Sequence, residues 1–324
     1  MRGLRITGGN RLSGTIAAHG AKNAVLPILA ATVLCSRSEI KNCPNLSDVA
    51  VSCHILRHLG FAVERARDTL IITREDTGCR DVPSEWMRAM RSSILFLGGM
   101  LARCGSVTLC PPGGCALGGR PIDLHLSALR QMGAVISEEG DTLRCAAPGG
   151  LHGAAVQLPY PSVGATETLL LAAATAQGQT VLHGAAKEPE IVDLAAFLNA
   201  CGGCVEGAGT DTSRISGVEK LTCGASIRGA GTSTIRVEGR RTLAGCTFAP
   251  VADRIIASTL ACAAAAAGGR VELAGCAPGL YAPLLEILEQ MGCTVERARD
   301  AAAISRFGAL RGAGNVHTAP YPGL

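Results

Sequence analysis

The stretch Cys110-Pro-Pro-Gly-Gly-Cys-Ala-Leu-Gly-Gly-Arg-Pro-Ile-Asp123 sets one cysteine, Cys115, between two glycine pairs and shortly ahead of Arg120. Flanking glycines leave a backbone free to approach a ligand, and a guanidinium beside a thiol favours the thiolate. That is the setting a loop thiol needs to act as acid or nucleophile, although a free cysteine taken alone is more often small core filler. Lys22 and Asn23 follow a Gly-Ala turn and pair a point charge with an orienting amide. Arg91 and Arg120 carry forked donors that match phosphate and carboxylate oxygens, while single arginines commonly sit in surface ion pairs. Ser162-Val163-Gly164 leads into a helix expected from about Thr166. The first N–H groups of such a helix can receive pyrophosphate oxygens, and a plain hairpin-to-helix turn has the same composition. Glu188 and the pair Asp253-Arg254 can serve a cleft or simply cap helices and pair charges. Cys201-Gly-Gly-Cys204 has metal-like spacing but no second ligand pair near it, so no metal site is expected.

Composition narrows the setting for this chemistry. With 324 residues, 48% of them hydrophobic, the chain can bury a large core and is long enough for two domains. Its 15 cysteines are odd in number and not closely paired, so most read as small core residues with reduced thiols, and the cytoplasm is the expected compartment. The alanine-rich run from Ile255 is too short for a membrane span, and the first residues lack the apolar stretch of a signal peptide. A net charge of +4 and 3% aromatic residues argue against a nucleic-acid surface and suit a small anionic substrate.

Two phrases alternate along the chain. One, as in "ILRHLGFAVERARDTLIITR" and "ILEQMGCTVERARDAAAISR", reads as a helix ended by glycine and followed by two strands. The other, as in "AVLPILAATVLCSRSEI" and "TLLLAAATAQGQTVL", is an apolar helix feeding a strand. Together they form a βαβαββ unit. Gly60, Gly133 and Gly202 end helices about 70 residues apart, and Gly292 comes about 20 residues late. The excess matches "GAGTDTSRISG" from Gly207, which recurs as "GAGTSTIRVEG" from Gly229: a hairpin duplicated in tandem within 207–246. Chance likeness of Gly/Thr-rich turns is the alternative. A further unit opens at "NVHTAPYPGL" and stops at Leu324, and because such units cannot bury their faces alone, the chain is expected to be C-terminally truncated or covered there by something else.

Six segments in order, "GAKNAVLPILAA", "MRSSILFLGGMLAR", "PPGGCALGGRPIDLHL", "PSVGATETLLLAAA", "KEPEIVDLAAFL" and "ADRI", resemble the UDP-N-acetylglucosamine 1-carboxyvinyltransferases, the enolpyruvyl transferases of peptidoglycan synthesis. The resemblance covers essentially the whole chain. It implies inside-out α/β prisms with helices inside and sheets outside, the first domain complete over 22–246 and the second partial, formed by 1–21 plus 247–324. It further implies transfer of the enolpyruvyl group of phosphoenolpyruvate to the 3'-hydroxyl of UDP-N-acetylglucosamine, with no cofactor, metal, nucleic acid or membrane required. Cys115 is then the proton donor, able to form an adduct with phosphoenolpyruvate and to be alkylated by fosfomycin, and Lys22 and Arg120 share the catalytic work. Lys22 and Asn23, Arg91, the loop Arg120-Pro121-Ile122-Asp123-Leu124, Ser162-Val163-Gly164, Glu188 and Asp253 are implied to hold the substrates.

The chain departs from that pattern in two places. Ile256 and Ser258 stand where the family usually has glutamate and glycine, and the chain stops before the threonine-aspartate pair thought to supply the base for the sugar hydroxyl. The resulting expectation is weak binding of the UDP-sugar and little turnover. The alternatives are a UDP-sugar-binding remnant and the sister enzyme 5-enolpyruvylshikimate-3-phosphate synthase, which the Cys115 loop and "GAKNA" argue against. Of the 15 cysteines, Cys115 should be labelled first by fosfomycin or iodoacetamide. Peptide mass spectrometry of the native protein checks this, and equal labelling of Cys201 or Cys262 would contradict it.

Overall fold

Residues 22–31 read Lys-Asn-Ala-Val-Leu-Pro-Ile-Leu-Ala-Ala, apolar on every side after the first two positions, and a helix of that kind must be covered all round. The computed structural model describes residues 5, 7–75, 78, 81–113, 122–208, 233–240 and 242–323. They divide into two units, a larger one from Gly20 to Val251 and a smaller one made of the residues up to His19 and from Ala252 onward.

Strand β1 (Leu12–Ala17) comes first and belongs to the smaller unit. The larger unit runs α1 (Lys22–Ala31), β2 (Arg37–Ile40), α2 (Ser47–His58), β3 (Phe61–Ala66) and β4 (Thr69–Arg74). Next come α3 (Ser84–Ala89), α4 (Leu95–Cys104), β5 (Ser106–Leu109), α5 (Asp123–Gln131), β6 (Val135–Glu139) and β7 (Thr142–Ala146). The third series is β8 (Ala155–Gln157), α6 (Val163–Ala173), β9 (Gln179–His183), α7 (Pro189–Ala200), β10 (Cys204–Glu206) and β11 (Thr234–Glu238), after which β12 (Thr247–Phe248) returns to the first.

Each series makes one sheet, in the orders β12-β2-β4-β3, β5-β7-β6 and β10-β11-β9-β8. In the two four-stranded sheets the opening strand lies parallel to its neighbour, Thr247 opposite Glu39 and Val156 opposite Leu182, and the other pairs are antiparallel. The repeat is thus a repeat of topology. Its helix-ending glycines, Gly60, Gly133, Gly202 and Gly292, all take left-handed φ values, of 84°, 92°, 98° and 97°, a conformation that stops a helix without strain only when no Cβ is present.

Burial shows which layer is inside. α7 is buried at every position, α6 from Ala165 onward, α1 from Ala24 onward and α4 from Leu95 to Leu101, whereas β9 exposes Gln179 and His183 while burying Thr180 and Leu182. Helices therefore fill the interior and sheets form the outer walls, the inside-out prism expected from the sequence. The smaller unit repeats the plan, with α8 (Arg254–Ala267), β13 (Gly269–Ala274), α9 (Ala282–Gln290), β14 (Thr294–Arg297) and β15 (Ala301–Arg306) forming the sheet β1-β13-β15-β14. There β1 is parallel to β13, and α8 buries Ala257, Ala261, Ala264 and Ala265.

In the duplicated hairpin region, β10 pairs with β11, Glu206 opposite Arg236, so the strand of the second copy completes the sheet. Residues 209–232, which hold most of the first copy, lie outside the described residues. Closure of the first sheet depends on Gly245. Its φ is +98°, and a Cβ there would run into the carbonyl oxygen of Arg37. Gly245→Ala should therefore unpair β12 from β2 and cost about 1–3 kcal/mol. A lowered denaturant midpoint measures this, and an unchanged midpoint would contradict the close packing.

Candidate active site

Polar groups meet where the buried helices begin. At the start of α6, Ser162 Oγ accepts the Ala165 N–H at 3.4 Å. Thr166 donates its hydroxyl to the Ser162 carbonyl at 2.8 Å and accepts the Ala186 N–H at 3.1 Å. This is the local chemistry of an N-cap, which stops the helix at Ser162 and leaves its first N–H groups at the rim.

Helix α5 begins beside it. His125, in its first turn, is buried, with Nδ1 2.8 Å from Thr168 Oγ1 on α6. Gly164 makes this contact possible, since a Cβ there would come within 3.0 Å of His125 Cε1. Burial, aided by Arg91 and opposed by Asp123, pushes the His125 pKa down to about 4. The imidazole is therefore neutral at pH 7 and adds no charge of its own beside Arg91. Arg91, Asp123 and Gly164 thus gather around one residue, and Ile122, Leu124 and Val163 pack against the core beneath. In the sequence His125 lies within "PIDLHL", and its one signal there is a titratable side chain between half-buried Leu124 and core Leu126.

Lys22 opens α1, and its ammonium lies 2.6 Å from Asp48 Oδ2 in the first turn of α2. Asp48 was not foreseen as its partner, because the two lie on different helices. Asn23 is exposed. Glu188 is half-buried just ahead of α7 and accepts the Lys187 N–H at 2.9 Å. It belongs to a group of carboxylates on α6 and α7. Glu167 is buried and its pKa is raised well above the carboxylate range, first by burial and then by Glu190 and Glu188. Asp193 is pushed up to about 7 by burial, against a hydrogen bond from the Val251 N–H and with help from Glu190. Val251 in turn accepts the N–H of Ala21, the residue before Lys22, at 2.7 Å. Asp193 therefore fastens the segment against which α1 begins.

Asp253 lies in the smaller unit, where its Oδ1 accepts the N–H groups of Ile255 at 3.0 Å and Ile256 at 2.9 Å and so caps α8. Of the remaining expected site residues, Cys115, Arg120 and Pro121 lie outside the described residues. Among the described residues no cluster could hold a metal ion, and no helix is long and apolar enough to cross a membrane. Cys104 is disulfide-bonded, which departs from the expectation of uniformly reduced thiols, and the other described cysteines are free.

The family model of EPSP synthase (3-phosphoshikimate 1-carboxyvinyltransferase) matches residues 6–223 and 221–324. The UDP-N-acetylglucosamine 1-carboxyvinyltransferase 1 of Symbiobacterium thermophilum is 42% identical over 326 residues, covering 98% of this chain and 68% of its own. The chain belongs to the UDP-N-acetylglucosamine 1-carboxyvinyltransferase family. The enzyme of that name from Shewanella woodyi is 39% identical, over 99% of this chain and 72% of its own. The crystal structure of the enolpyruvyl transferase NikO from Streptomyces tendae superimposes with a TM-score of 0.77 at 22% identity, over 98% of this chain and 71% of that one, and so shares the fold.

The raised pKa of Asp193 fixes a pH dependence. The folded state holds the proton more tightly than the unfolded chain, whose aspartate has the ordinary value of 3.8. Its contribution to stability is complete below that value and is lost as pH rises through about 7. An Asn at this position keeps a carbonyl oxygen for the Val251 N–H without the buried charge. Asp193→Asn should therefore gain about 2–4 kcal/mol relative to the parent between pH 4 and pH 8. Urea denaturation at both pH values checks this, and parallel stability curves would contradict it.

Proposed function

We propose that this chain transfers the enolpyruvyl group of phosphoenolpyruvate to the 3'-hydroxyl of UDP-N-acetylglucosamine and releases phosphate, in the cytoplasm, as the step that commits the sugar nucleotide to peptidoglycan. The observation that carries the reading is identity of about 40% to enzymes of that name along nearly the whole chain. The gathering of Arg91, Asp123 and Gly164 around His125 agrees with it. The sister shikimate reaction is less favoured, since the solved EPSP synthase structures are 22% identical.

The reaction is an addition followed by an elimination. A proton is delivered to the vinyl CH2 carbon while the sugar oxygen bonds to the adjacent carbon and gives up its own proton. The tetrahedral adduct then expels phosphate, and loss of a proton from the new methyl group restores the double bond. Cys115 supplies the first proton. The donor substrate carries a phosphate and a carboxylate, so cations must hold it throughout, and Lys22, Arg91 and Arg120 are assigned that work. The open N-terminal N–H groups of α6 suit the diphosphate of the UDP-sugar. The bond of a neutral His125 to Thr168 ties α5 to α6 at this point.

The test is release of inorganic phosphate by the purified protein with each substrate alone and with both together. Release should require both and be slow, and Cys115→Ala should lower it about 100- to 10,000-fold further, the usual weight of one positioned acid. Arg91→Ala should lower kcat/KM about 100- to 1,000-fold, as expected for a preorganised donor. Phosphate release with shikimate 3-phosphate in place of the UDP-sugar would overturn the reading.

A further inference from the structure

Three cysteines from distant stretches of the chain meet at the end of α7. Cys201, the residue after that helix, is buried, and its Sγ points at the Sγ of Cys246, 3.6 Å away. Cys35 is buried against Cys201 as a third thiol. The backbone holds the three stretches together: Ala244 N–H donates to the Cys201 carbonyl at 3.0 Å, Glu39 N–H donates to the Cys246 carbonyl at 2.9 Å, and Cys35 bridges in parallel with Leu243. The thiols are therefore kept adjacent by the same pairing that closes the first sheet. Cys246 alone of the three is partly open to solvent. Cys204, the other half of the Cys-Gly-Gly-Cys spacing, shows no bond to this group. Nor is the group a metal cage, since no metal-holding cluster exists among the described residues.

We propose that Cys246 is a site of oxidation by hydroperoxides and Cys201 its resolving thiol, so that a Cys201–Cys246 disulfide forms within the folded protein. The chemistry is complete with the hydroperoxide as the one co-reactant. The Cys246 thiolate attacks the terminal peroxide oxygen, the O–O bond breaks, and the departing alkoxide takes up a proton, leaving a sulfenic acid. Cys201 sulfur then attacks the sulfenic sulfur. The S–S bond forms, the S–O bond breaks, and the hydroxide leaves with the Cys201 proton as water. Two thiols have lost two electrons to one O–O bond. The Cys201 thiol donates to Cys246, which lowers the Cys246 pKa and raises that of Cys201, so the accessible sulfur is also the more nucleophilic. The sulfurs need close by only about 1.5 Å to reach bonding distance.

The link would tie the end of α7 to the segment that enters β12, two places separated by 45 residues. A crosslink of that span restrains the unfolded chain, so the oxidised protein should melt a few degrees higher than the reduced one.

The experiment treats the whole protein with hydrogen peroxide, blocks free thiols with iodoacetamide and maps peptides by mass spectrometry. The expected result is a Cys201–Cys246 linked peptide that disappears after dithiothreitol. In Cys201→Ser, trapping with dimedone should show several-fold more sulfenic acid at Cys246 than in the parent, while Cys35→Ser should still form the link. The idea fails if the parent yields no linked peptide, if Cys201 links to Cys35 instead, or if dimedone marks exposed Cys262 and leaves Cys246 untouched in Cys201→Ser. None of these readouts depends on the transferase reaction, so the two proposals stand or fall separately.

Discussion

A helix covered on all sides has no water along its length, and that constraint organises the larger unit. The interior helices α1, α4, α6 and α7 are predominantly apolar, since each unpaired polar group in such a place would cost a few kcal/mol. Polar chemistry is pushed to the helix starts, the one place where backbone N–H groups need partners in any case. Lys22 and Asn23 open α1, Arg91 sits in the turn before α4, Asp123 opens α5 and Ser162 caps α6. A fold with its helices inside therefore places polar and charged side chains at its helix starts as a consequence of burying everything else.

The exceptions follow from the same constraint. Glu167, Glu190 and Asp193 lie on buried stretches of α6 and α7, and Glu167 and Asp193 have pKa values displaced towards the neutral form. The interior tolerates Glu167 and Asp193 by holding protons on them, and Asp193 also receives a backbone donor, the Val251 N–H. His125 obeys the mirror-image rule: burial beside Arg91 keeps it uncharged, and its hydrogen bond goes to the Thr168 hydroxyl. Charge in the larger unit is thus sorted by depth, with fixed cations at the rim and neutralised acids and imidazole beneath.

What the sequence revealed depended on whether a feature was local. Gly60, Gly133, Gly202 and Gly292 marked the repeat because a helix stop is decided within a few residues, and the apolar phrases marked interior helices because covering on all sides leaves a compositional trace. Partners brought together by folding left no such trace. Nothing in the spacing of Lys22 and Asp48, of His125 and Thr168, or of Asp193 and Val251 distinguishes these pairs from others. The Cys201-Gly-Gly-Cys204 spacing drew attention to the nearer sulfur, yet the sheet pairing that carries Cys246 back past β2 delivers the one in contact with Cys201.

That pairing also explains how a cysteine-rich chain can hold most of its thiols without crosslinking them. In the described interior the sulfurs act as small apolar groups: Cys43 and Cys145 are held up at about 11 and Cys276 at about 12, burial being the largest cause in each. A thiol that stays protonated is a poor nucleophile and a poor target for oxidants. Burial thus silences these cysteines by the same desolvation that neutralises Glu167, outweighing even the Arg65 donor at Cys43, and reactivity is confined to sulfurs that reach solvent and also gain a donor. Cys246 has both, which sets it apart from the thiols held protonated by burial.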